Sequence, residues 1–401
     1  MLSFKTFLIE GGNVKLIGSA GEDVSSNPID LTKTPRRQVQ NDVRGFLSGL
    51  NQTHIQNTGS HLFGRNEEAL QNGAAFAGST NHLFDKNISD EEHNQFKPSV
   101  GDIDTMVPRE HMQTLEQHLQ PGTKYGNYTV AGTKKHGSQI SAVVKHDNGE
   151  HHQIDFEPAD YEGNNVSDWN KFSHSSNWDD TKQGIKGSQH KILLRALTAA
   201  HGSYGKIRTK KGDQEGFVNS QTFSVDKGLR RKYELTGTDE DNKPVFQELP
   251  SKGAEYETDV PKIYEGLIGK RPTKNDLSEF GSFQGVSRLI NKHLSPEQRS
   301  RVLDRYVDNL YGSEGGLLDK DHKKDQLVKD TALNHLMQQH PDHFTDEKKK
   351  EIDGIRKQFY SGLVAKAKAK EALQAVAAPK PAPAPKKTKK KPVDTFGGAE
   401  I

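Results

Sequence analysis

The sequence of 401 residues contains no cysteine and few apolar residues. Without cysteine, disulfide bonds, thiolate catalysis and cysteine-ligated zinc sites are excluded. Hydrophobic residues make up 31% of the chain, and no segment approaches the roughly 18 consecutive apolar residues that a membrane-spanning helix needs. The apolar run near the start is too short for a signal peptide, and no small-residue cleavage site follows it. These absences predict a soluble, cytoplasmic protein with no membrane partner.

Positive charge is concentrated at one end of the chain. The formal net charge is +2, but nine lysines and three acidic residues give residues 366–401 a balance of +6, which leaves −4 for residues 1–365. Lysine, proline and alanine dominate from about residue 365 onward, and this composition cannot build a core. We therefore expect residues 365–401 to form a disordered basic Lys/Pro/Ala tail. Its charge suits a weak, salt-sensitive contact with nucleic acid, and a solubilising or partner-docking role fits equally well.

Three aspartates lie in segments whose alternation is typical of strands. Because successive side chains of a strand point to opposite faces, Asp102 and Asp104 would share one face while Ile103 points into the core. The segment Ile-Asp-Phe at 154–156 repeats this arrangement, with Asp155 on the polar face. Like charges placed this close repel one another unless cations neutralise them. The cluster therefore predicts a metal site; the alternative is a solvated edge strand or turn.

A Gly-Ser pair precedes the acidic cluster. The short apolar run 74–77 suits a buried strand that Gly78 ends, and Ser79 is a favourable N-cap for a helix over residues 80–84. Free backbone N–H groups at the start of a helix can hold phosphate oxygens. Gly78 and Ser79 are therefore predicted to bind the phosphates of a nucleotide.

The order of these motifs resembles the nucleotidyltransferase superfamily, which includes DNA polymerase β, poly(A) polymerases and aminoglycoside nucleotidyltransferases. The resemblance covers residues 76–156. It implies that Gly78 and Ser79 hold the β- and γ-phosphates of a nucleoside triphosphate such as ATP. It also implies that Asp102 and Asp104 bind two Mg²⁺ ions, with Mn²⁺ as a substitute, and that Asp155 joins the ion nearest the attacking hydroxyl.

The spacing departs from the family pattern in one place. Ser79 and Asp102 are 23 positions apart, more than a helix and a turn need. The extra residues, 85–98, are almost entirely polar, so we expect a surface insertion here. The polar, cysteine-free chain with its Lys/Pro tail also resembles nucleotidyltransferase-like proteins of tailed phages. For a phage protein, the predicted location is the host cytoplasm.

Basic residues in two later segments are further candidates for ligand binding. A helix starting at Ser188 and running to about His201 would carry Lys191 and Arg195 on its polar face, and both are candidate triphosphate ligands; an ordinary solvated face explains them equally well. The cluster Arg-Arg-Lys-Tyr at 230–233 suits contact with a nucleic-acid acceptor by phosphate pairing and stacking, although a cationic surface strand is the simpler interpretation. The histidines near Asp342 suggest zinc only weakly, because a proline interrupts their helix.

The elements together predict an α+β protein, in which a polymerase-β-like nucleotidyltransferase sheet flanked by helices is followed by a mainly helical C-terminal region and the disordered tail. Residues 1–60 would contain an amphipathic helix that starts at Thr34-Pro35 and runs to about Leu50. Residues 61–205 would form the catalytic domain, 206–364 an accessory domain of β-hairpins and helices, and 365–401 the tail. The predicted activity is metal-dependent transfer of a nucleoside monophosphate from an NTP to an acceptor hydroxyl, with RNA and DNA among the candidate acceptors. The alternative is a catalytically silent structural protein, associated with nucleic acid or a virion, that keeps the same fold.

Overall fold

The computed structural model describes residues 26–63, 75–78, 80–137, 139–159, 161–162, 165–166, 172, 177–209, 212–224, 227–251, 254–312, 316 and 322–377. It is a mixed α+β structure with a mainly helical C-terminal region, as the sequence predicted at this level. The chain forms two compact units, residues 1–355 and residues 356–401. The domain boundaries predicted after residues 60 and 205 both fall within the first unit and stay predictions.

The elements are numbered in chain order. The described helices are α1 (Arg36–Thr58), α2 (Thr80–Phe84), α3 (Asp90–Phe96), α4 (Met112–His118), α5 (Trp178–Lys182), α6 (Gly187–Leu197), α7 (Val260–Ile268), α8 (Lys274–Phe280), α9 (Phe283–His293), α10 (Pro296–Tyr311), α11 (His322–Gln339) and α12 (Asp346–Ala377). A 3₁₀ turn, Arg109–His111, leads into α4. The described strands are β1 (Ile29–Asp30), β2 (Ser99–Val100), β3 (Ile103–Pro108), β4 (Lys124–Tyr125), β5 (Tyr128–His136), β6 (Gln139–His146), β7 (His151–Ala159), β8 (Tyr161–Glu162), β9 (Asn165–Val166), β10 (Ser203–Thr209), β11 (Gly212–Val218), β12 (Gln221–Ser224), β13 (Gly228–Arg231), β14 (Tyr233–Thr238) and β15 (Pro244–Glu248).

A five-stranded sheet with the order β3-β7-β6-β5-β4 forms the centre of the first unit. β3 and β7 run parallel, and the other neighbouring strands run antiparallel. The predicted hairpin at Asp147-Asn148-Gly149 joins β6 to β7, and Gly149 adopts the left-handed φ of +93° that such a turn favours. The strands predicted around residues 128–130, 139–144 and 153–156 are confirmed, and all three are longer than predicted.

Helix α1 packs against this sheet, and the two form one hydrophobic core. The apolar residues of α1 recur at helical spacing, so they form one continuous stripe. All five residues of the predicted stripe are buried: Val39, Val43, Phe46, Leu47 and Leu50. The ring of Phe46 contacts the rings of Tyr125 and Tyr128 edge to face, with centroids 5.5 and 5.9 Å away. α1 therefore belongs to the same core as the sheet that carries the aspartates.

The bounds of α1 differ from the prediction. Pro35 is the N-cap rather than the first helical residue, and the side chain of Thr34 does not cap the helix. The helix also passes the predicted end near Leu50 and continues to Thr58. Gly59 then ends it in the left-handed conformation, with φ +74°.

The accessory β-strands form two further sheets. β10, β11, β14 and β15 form a four-stranded sheet in the order β11-β10-β15-β14, while β12 and β13 form a separate hairpin. Helices α7 to α11 follow, several of them with side-chain N-caps. Ser295, for example, accepts a hydrogen bond from the Gln298 N–H at the start of α10, where Pro296 takes the first helical position.

Helix α12 contradicts part of the predicted disordered tail. The helix continues to Ala377, so the prediction of disorder is wrong for residues 365–377. These residues are mostly alanine, lysine, glutamate, leucine and glutamine, which have high intrinsic helix propensity. The Pro/Lys segment 378–401 lies outside the described residues. None of the described helices is long and apolar enough to cross a bilayer.

Candidate metal and nucleotide site

The three predicted aspartates meet at one edge of the parallel strand pair. In the register of β3 and β7, Asp104 lies directly opposite Asp155, and Ile103 lies opposite Ile154. Carboxylate oxygens of Asp102, Asp104 and Asp155 all lie within 4.8 Å of one another. Among the described residues, no other group of three or more acidic or histidine side chains meets this criterion.

The apolar residues between the aspartates fix this arrangement. Ile103, Ile154 and Phe156 are all at most 1% exposed and face the core. Because side chains alternate along a strand, the aspartates next to them point to the opposite face of the sheet. Asp102 and Asp104 are partly exposed at this face, whereas Asp155 is buried. The set contains only carboxylate oxygens, which are the donors that Mg²⁺ and Mn²⁺ prefer. The residues present therefore fit the predicted metal.

The carboxylates hold their protons unusually tightly. Burial, followed by the charges of Asp102, Glu157 and Asp155, raises the pKa of Asp104 well above its ordinary value. Burial and the charge of Asp102 raise the pKa of Asp155 to about 7. Closely spaced carboxylates cannot all ionise unless a cation neutralises them. A divalent cation supplies the charge that the cluster needs.

Glu157 is a fourth carboxylate at this face that the sequence interpretation missed. It lies two residues after Asp155 on β7 and therefore points the same way. Its charge raises the pKa of both Asp104 and Asp155. The same period-two alternation that singled out Asp155 could have identified it.

Lysine side chains lie on the other side of the cluster. The predicted residue Lys191, on α6, lies close enough to Asp104 for its charge to lower the pKa of that carboxyl. Lys97, just after α3, was not predicted; Asp102 and Asp104 attract it, while burial lowers its pKa to about 8. Lys186 is close enough to Lys97 to lower its pKa further. The aspartates therefore lie close to two lysines, Lys97 and Lys191, and Lys186 lies close to Lys97.

Helix α6 positions Lys191 but differs in its bounds from the prediction. Lys186 rather than Ser188 is the N-cap, its N–H donating 2.9 Å to Gln189 Oε1, and the helix ends at Leu197. Arg195 is partly exposed four residues after Lys191, which corresponds to roughly 6 Å along the helix axis. Its role in nucleotide binding stays a prediction.

The predicted surface insertion at residues 85–98 contains helix α3, and most of its residues are exposed or partly exposed. Ser89 caps this helix by accepting a hydrogen bond from the Glu92 N–H at 3.1 Å. At the opposite end Lys97 lies close to the aspartates, and His93 is fully buried against the ring of Trp178, with centroids 5.6 Å apart. The insertion therefore lies at the surface and also reaches the site.

The predicted phosphate-binding turn lies beside β3. The Ala77 N–H donates to the Asp104 carbonyl at 3.1 Å, and Gly78 takes a left-handed φ of +56°. Ser79 lies outside the described residues. Thr80, which the sequence interpretation missed, joins this turn to the aspartates: its hydroxyl accepts the Asp104 N–H at 2.8 Å and donates to the Asp102 carbonyl at 3.5 Å.

Hydrogen bonds also orient the third aspartate. Gln153 lies on the same face of β7 and donates from Nε2 to both carboxylate oxygens of Asp155, each at 3.0 Å. The Ser26 hydroxyl in turn donates to Gln153 Oε1 at 3.1 Å. The Ser141 side chain on β6 bonds the same carboxyl group and favours its ionised form. These hydrogen bonds fix the orientation of the Asp155 carboxylate.

The histidines considered for zinc have other partners. His340 shares a 3.0 Å hydrogen bond with the Ser287 hydroxyl, and His343 lies 3.3 Å from a carboxylate oxygen of Asp304. His335 contacts the ring of Phe283. These contacts explain the three histidines as parts of the helical packing.

No protein family, curated protein or solved structure with which the chain was compared matches it. The chemistry of this site is therefore argued from its own residues.

The raised pKa of Asp155 predicts a pH dependence of stability in the absence of metal. Because its folded-state pKa of about 7 exceeds the ordinary value of 3.8, the folded state binds the proton more tightly, and stability falls as pH rises through this window. We therefore expect Asp155→Asn to raise Tm in EDTA, by an amount that grows between about pH 4 and pH 7. Buried histidines titrate in both proteins and cancel in the comparison. A Tm difference that is constant with pH would contradict the assignment.

Proposed function

We propose that this chain is a metal-dependent nucleotidyltransferase, which transfers a nucleoside monophosphate from an NTP to an acceptor hydroxyl. One observation carries the proposal: three carboxylates lie within 4.8 Å of one another and face a group of lysines. An acidic cluster alone would suit a bare cation. The adjoining positive charge suits a ligand that brings its own negative charge, as a metal-bound triphosphate does.

Each group of residues has a defined task in this proposal. Asp102 and Asp104 would hold both Mg²⁺ ions, and Asp155 would join them at the ion nearest the acceptor. Two such ions stabilise the negative charge that develops on the attacking and leaving oxygens. Lys97 and Lys191 bind the triphosphate and hold its β- and γ-phosphates, together with the turn at Gly78.

The reaction follows from this placement. The acceptor oxygen forms a bond to the α-phosphorus while the bond between this phosphorus and the α–β bridging oxygen breaks, and pyrophosphate leaves. Asp155, which Gln153 orients, directs the acceptor hydroxyl and receives its proton.

The competing interpretation is a structural protein that keeps the fold without the chemistry. Such a protein gains nothing from a cluster in which burial and mutual repulsion raise the pKa of two aspartates. A single asparagine in place of an aspartate would weaken that unfavourable interaction. The presence of the complete set in this chain therefore supports the enzyme.

Incubation with Mg²⁺ and each labelled NTP tests the proposal. The acceptors offered should include RNA, DNA, protein and small aminated sugars, and pyrophosphate release should be measured in every mixture. Asp147→Asn is a matched control, because Asp147 lies on the same sheet in the β6–β7 turn and pairs with Lys124. We expect labelled product and pyrophosphate from the wild type and from this control. Absence of both with every acceptor, together with absence of Mg²⁺-dependent NTP binding, would refute the proposal.

A further inference from the structure

The basic cluster at residues 230–233 joins two sheets: Arg230 and Arg231 end the β12–β13 hairpin, and Tyr233 begins β14. Leu229 on β13 pairs with Phe223 on β12, and both side chains are buried. Arg230 therefore points to the opposite face of the hairpin. The Leu229 and Glu257 backbones exchange two hydrogen bonds, of 3.0 and 2.8 Å, which places a third chain segment alongside β13.

Two tyrosine rings lie close to the cations of this region. The guanidinium of Arg230 and the ammonium of Lys227 lie 5.7 and 5.8 Å from the centre of the Tyr256 ring, which belongs to the third segment. Lys232 lies 4.9 Å from the ring of Tyr233. Both rings are partly exposed. We call Lys227, Arg230, Arg231, Lys232, Tyr233 and Tyr256 the basic hairpin surface.

The four cations of the basic hairpin surface lack acidic partners within the described part of the chain. None of them lies within 4.0 Å of a described carboxylate, although many other lysines and arginines of the protein form such pairs. The nearby Glu257 is already paired with Lys262 at 3.5 Å. Four cations in one short stretch of chain, none of them within 4.0 Å of a carboxylate of the described residues, fit a polyanionic ligand.

The combination of cations and aromatic rings favours one class of polyanion. Lysine and arginine bind the phosphates of a nucleic-acid backbone, and exposed tyrosine rings stack on bases that are not paired. A duplex keeps its bases stacked inside and offers only its phosphates. We propose that the basic hairpin surface binds single-stranded nucleic acid, with Tyr256 and Tyr233 stacking on its bases. Use of this strand as the acceptor rests on the proposed function, but the binding itself does not.

Removal of the four positive charges provides the first test. Fluorescence anisotropy would measure binding of labelled single-stranded RNA and DNA of about 20 nucleotides, longer than the roughly 4–16 that one single-strand-binding fold covers. The variant changes Lys227, Arg230, Arg231 and Lys232 to glutamine in the full chain. We expect it to bind at least tenfold more weakly, with a slope of log K against log salt that is shallower by roughly 3, because each phosphate contact contributes about 0.7.

A matched control distinguishes this surface from the overall charge of the protein. Arg37, Lys134, Lys145 and Lys350 are four exposed cations in separate parts of the structure, and changing all four to glutamine alters the net charge equally. We expect the control to bind like the wild type. Equal losses in the two variants would mean that binding follows net charge alone and would overturn the proposal, as would no loss in either variant.

Substitution of the tyrosines tests the preference for single strands. Tyr256→Leu and Tyr233→Leu keep all charges, so duplex binding should stay unchanged while single-strand binding weakens roughly fivefold or more per ring. Equal binding of single strands by wild type and both variants would exclude stacking. Binding to phosphatidylglycerol vesicles but not to oligonucleotides would assign the surface to membranes and overturn the proposal. Asp104→Ala should bind oligonucleotides normally, so a failure of the proposed catalysis remains distinguishable from a failure here.

Discussion

Asp104→Ala is expected to abolish metal-dependent nucleotide transfer while the protein stays folded. Asp104 lies within 4.8 Å of both Asp102 and Asp155 and would contact both ions. Loss of a shared ligand should remove several kcal/mol of transition-state stabilisation, which corresponds to roughly a 10³-fold loss of rate or more. Pyrophosphate release in the presence of Mg²⁺, compared between wild type and variant, measures the effect.

The same substitution should have the opposite effect on the metal-free protein. Because burial and three neighbouring carboxylates raise the pKa of Asp104, its charge opposes folding at neutral pH when no metal is present. We therefore expect Asp104→Ala to raise Tm in EDTA and to abolish the additional stabilisation by Mg²⁺ that we expect for the wild type. Asp147→Ala serves as the control and should change neither property. Turnover at the wild-type rate in Asp104→Ala would show that the cluster is not catalytic.

Lys97→Met is expected to weaken NTP binding by roughly tenfold or more, since charge-assisted hydrogen bonds to phosphate are among the stronger ones. Methionine keeps an apolar stem similar to that of lysine and removes the charged ammonium group. Lys97 lies near Asp102 and Asp104, and their charges favour its ammonium form, whereas burial lowers its pKa. Without nearby carboxylates, a lysine would be unfavourable in this buried position. The increase in KM for the NTP at saturating Mg²⁺ measures the loss.

Two further lysine variants test whether the increase in KM depends on lysines near the aspartates. Lys191→Met should raise KM similarly, because Lys191 lies close to Asp104. Lys145→Met, on the exposed side of β6, should not change it. Unchanged KM in both Lys97→Met and Lys191→Met would mean that these cations only balance the charge of the aspartates. Arg195→Met tests the remaining predicted phosphate ligand in the same assay.

Local alternation made the aspartates predictable, but the residues that complete the site depend on distant contacts. The side-chain directions of Asp102, Asp104 and Asp155 follow from the period of a strand. Lys97 was missed because its polar segment was interpreted only as a surface insertion, whereas the end of α3 brings Lys97 close to Asp102 and Asp104. The Ser26–Gln153 hydrogen bond joins positions 127 residues apart, and no sequence pattern predicts such a contact.

Amino-acid composition predicted the ends of two helices too early in the chain. α1 continues beyond Leu50 because Asn51 and His54 occupy its buried face, where a count of apolar residues finds no signal. Asn51 Oδ1 accepts the Leu62 N–H at 2.7 Å, so a polar residue is stable in that position. In α12, a Lys- and Ala-rich segment without core residues was interpreted as disordered, although its intrinsic helix propensity is high.

The hydrogen bond between the Asp104 N–H and the Thr80 hydroxyl makes opening of the site measurable by amide hydrogen exchange. The hydroxyl covers the Asp104 amide, so this hydrogen can exchange with solvent only when the start of α2 separates from β3. The exchange rate of this one amide would then report how often the turn at Gly78 separates from β3. If the proposed function is right, a nucleotide that contacts both should slow this exchange, whereas a metal ion bound to the aspartates alone would leave the turn free to open. The exchange rate would thus distinguish the metal-bound site from the nucleotide-bound site.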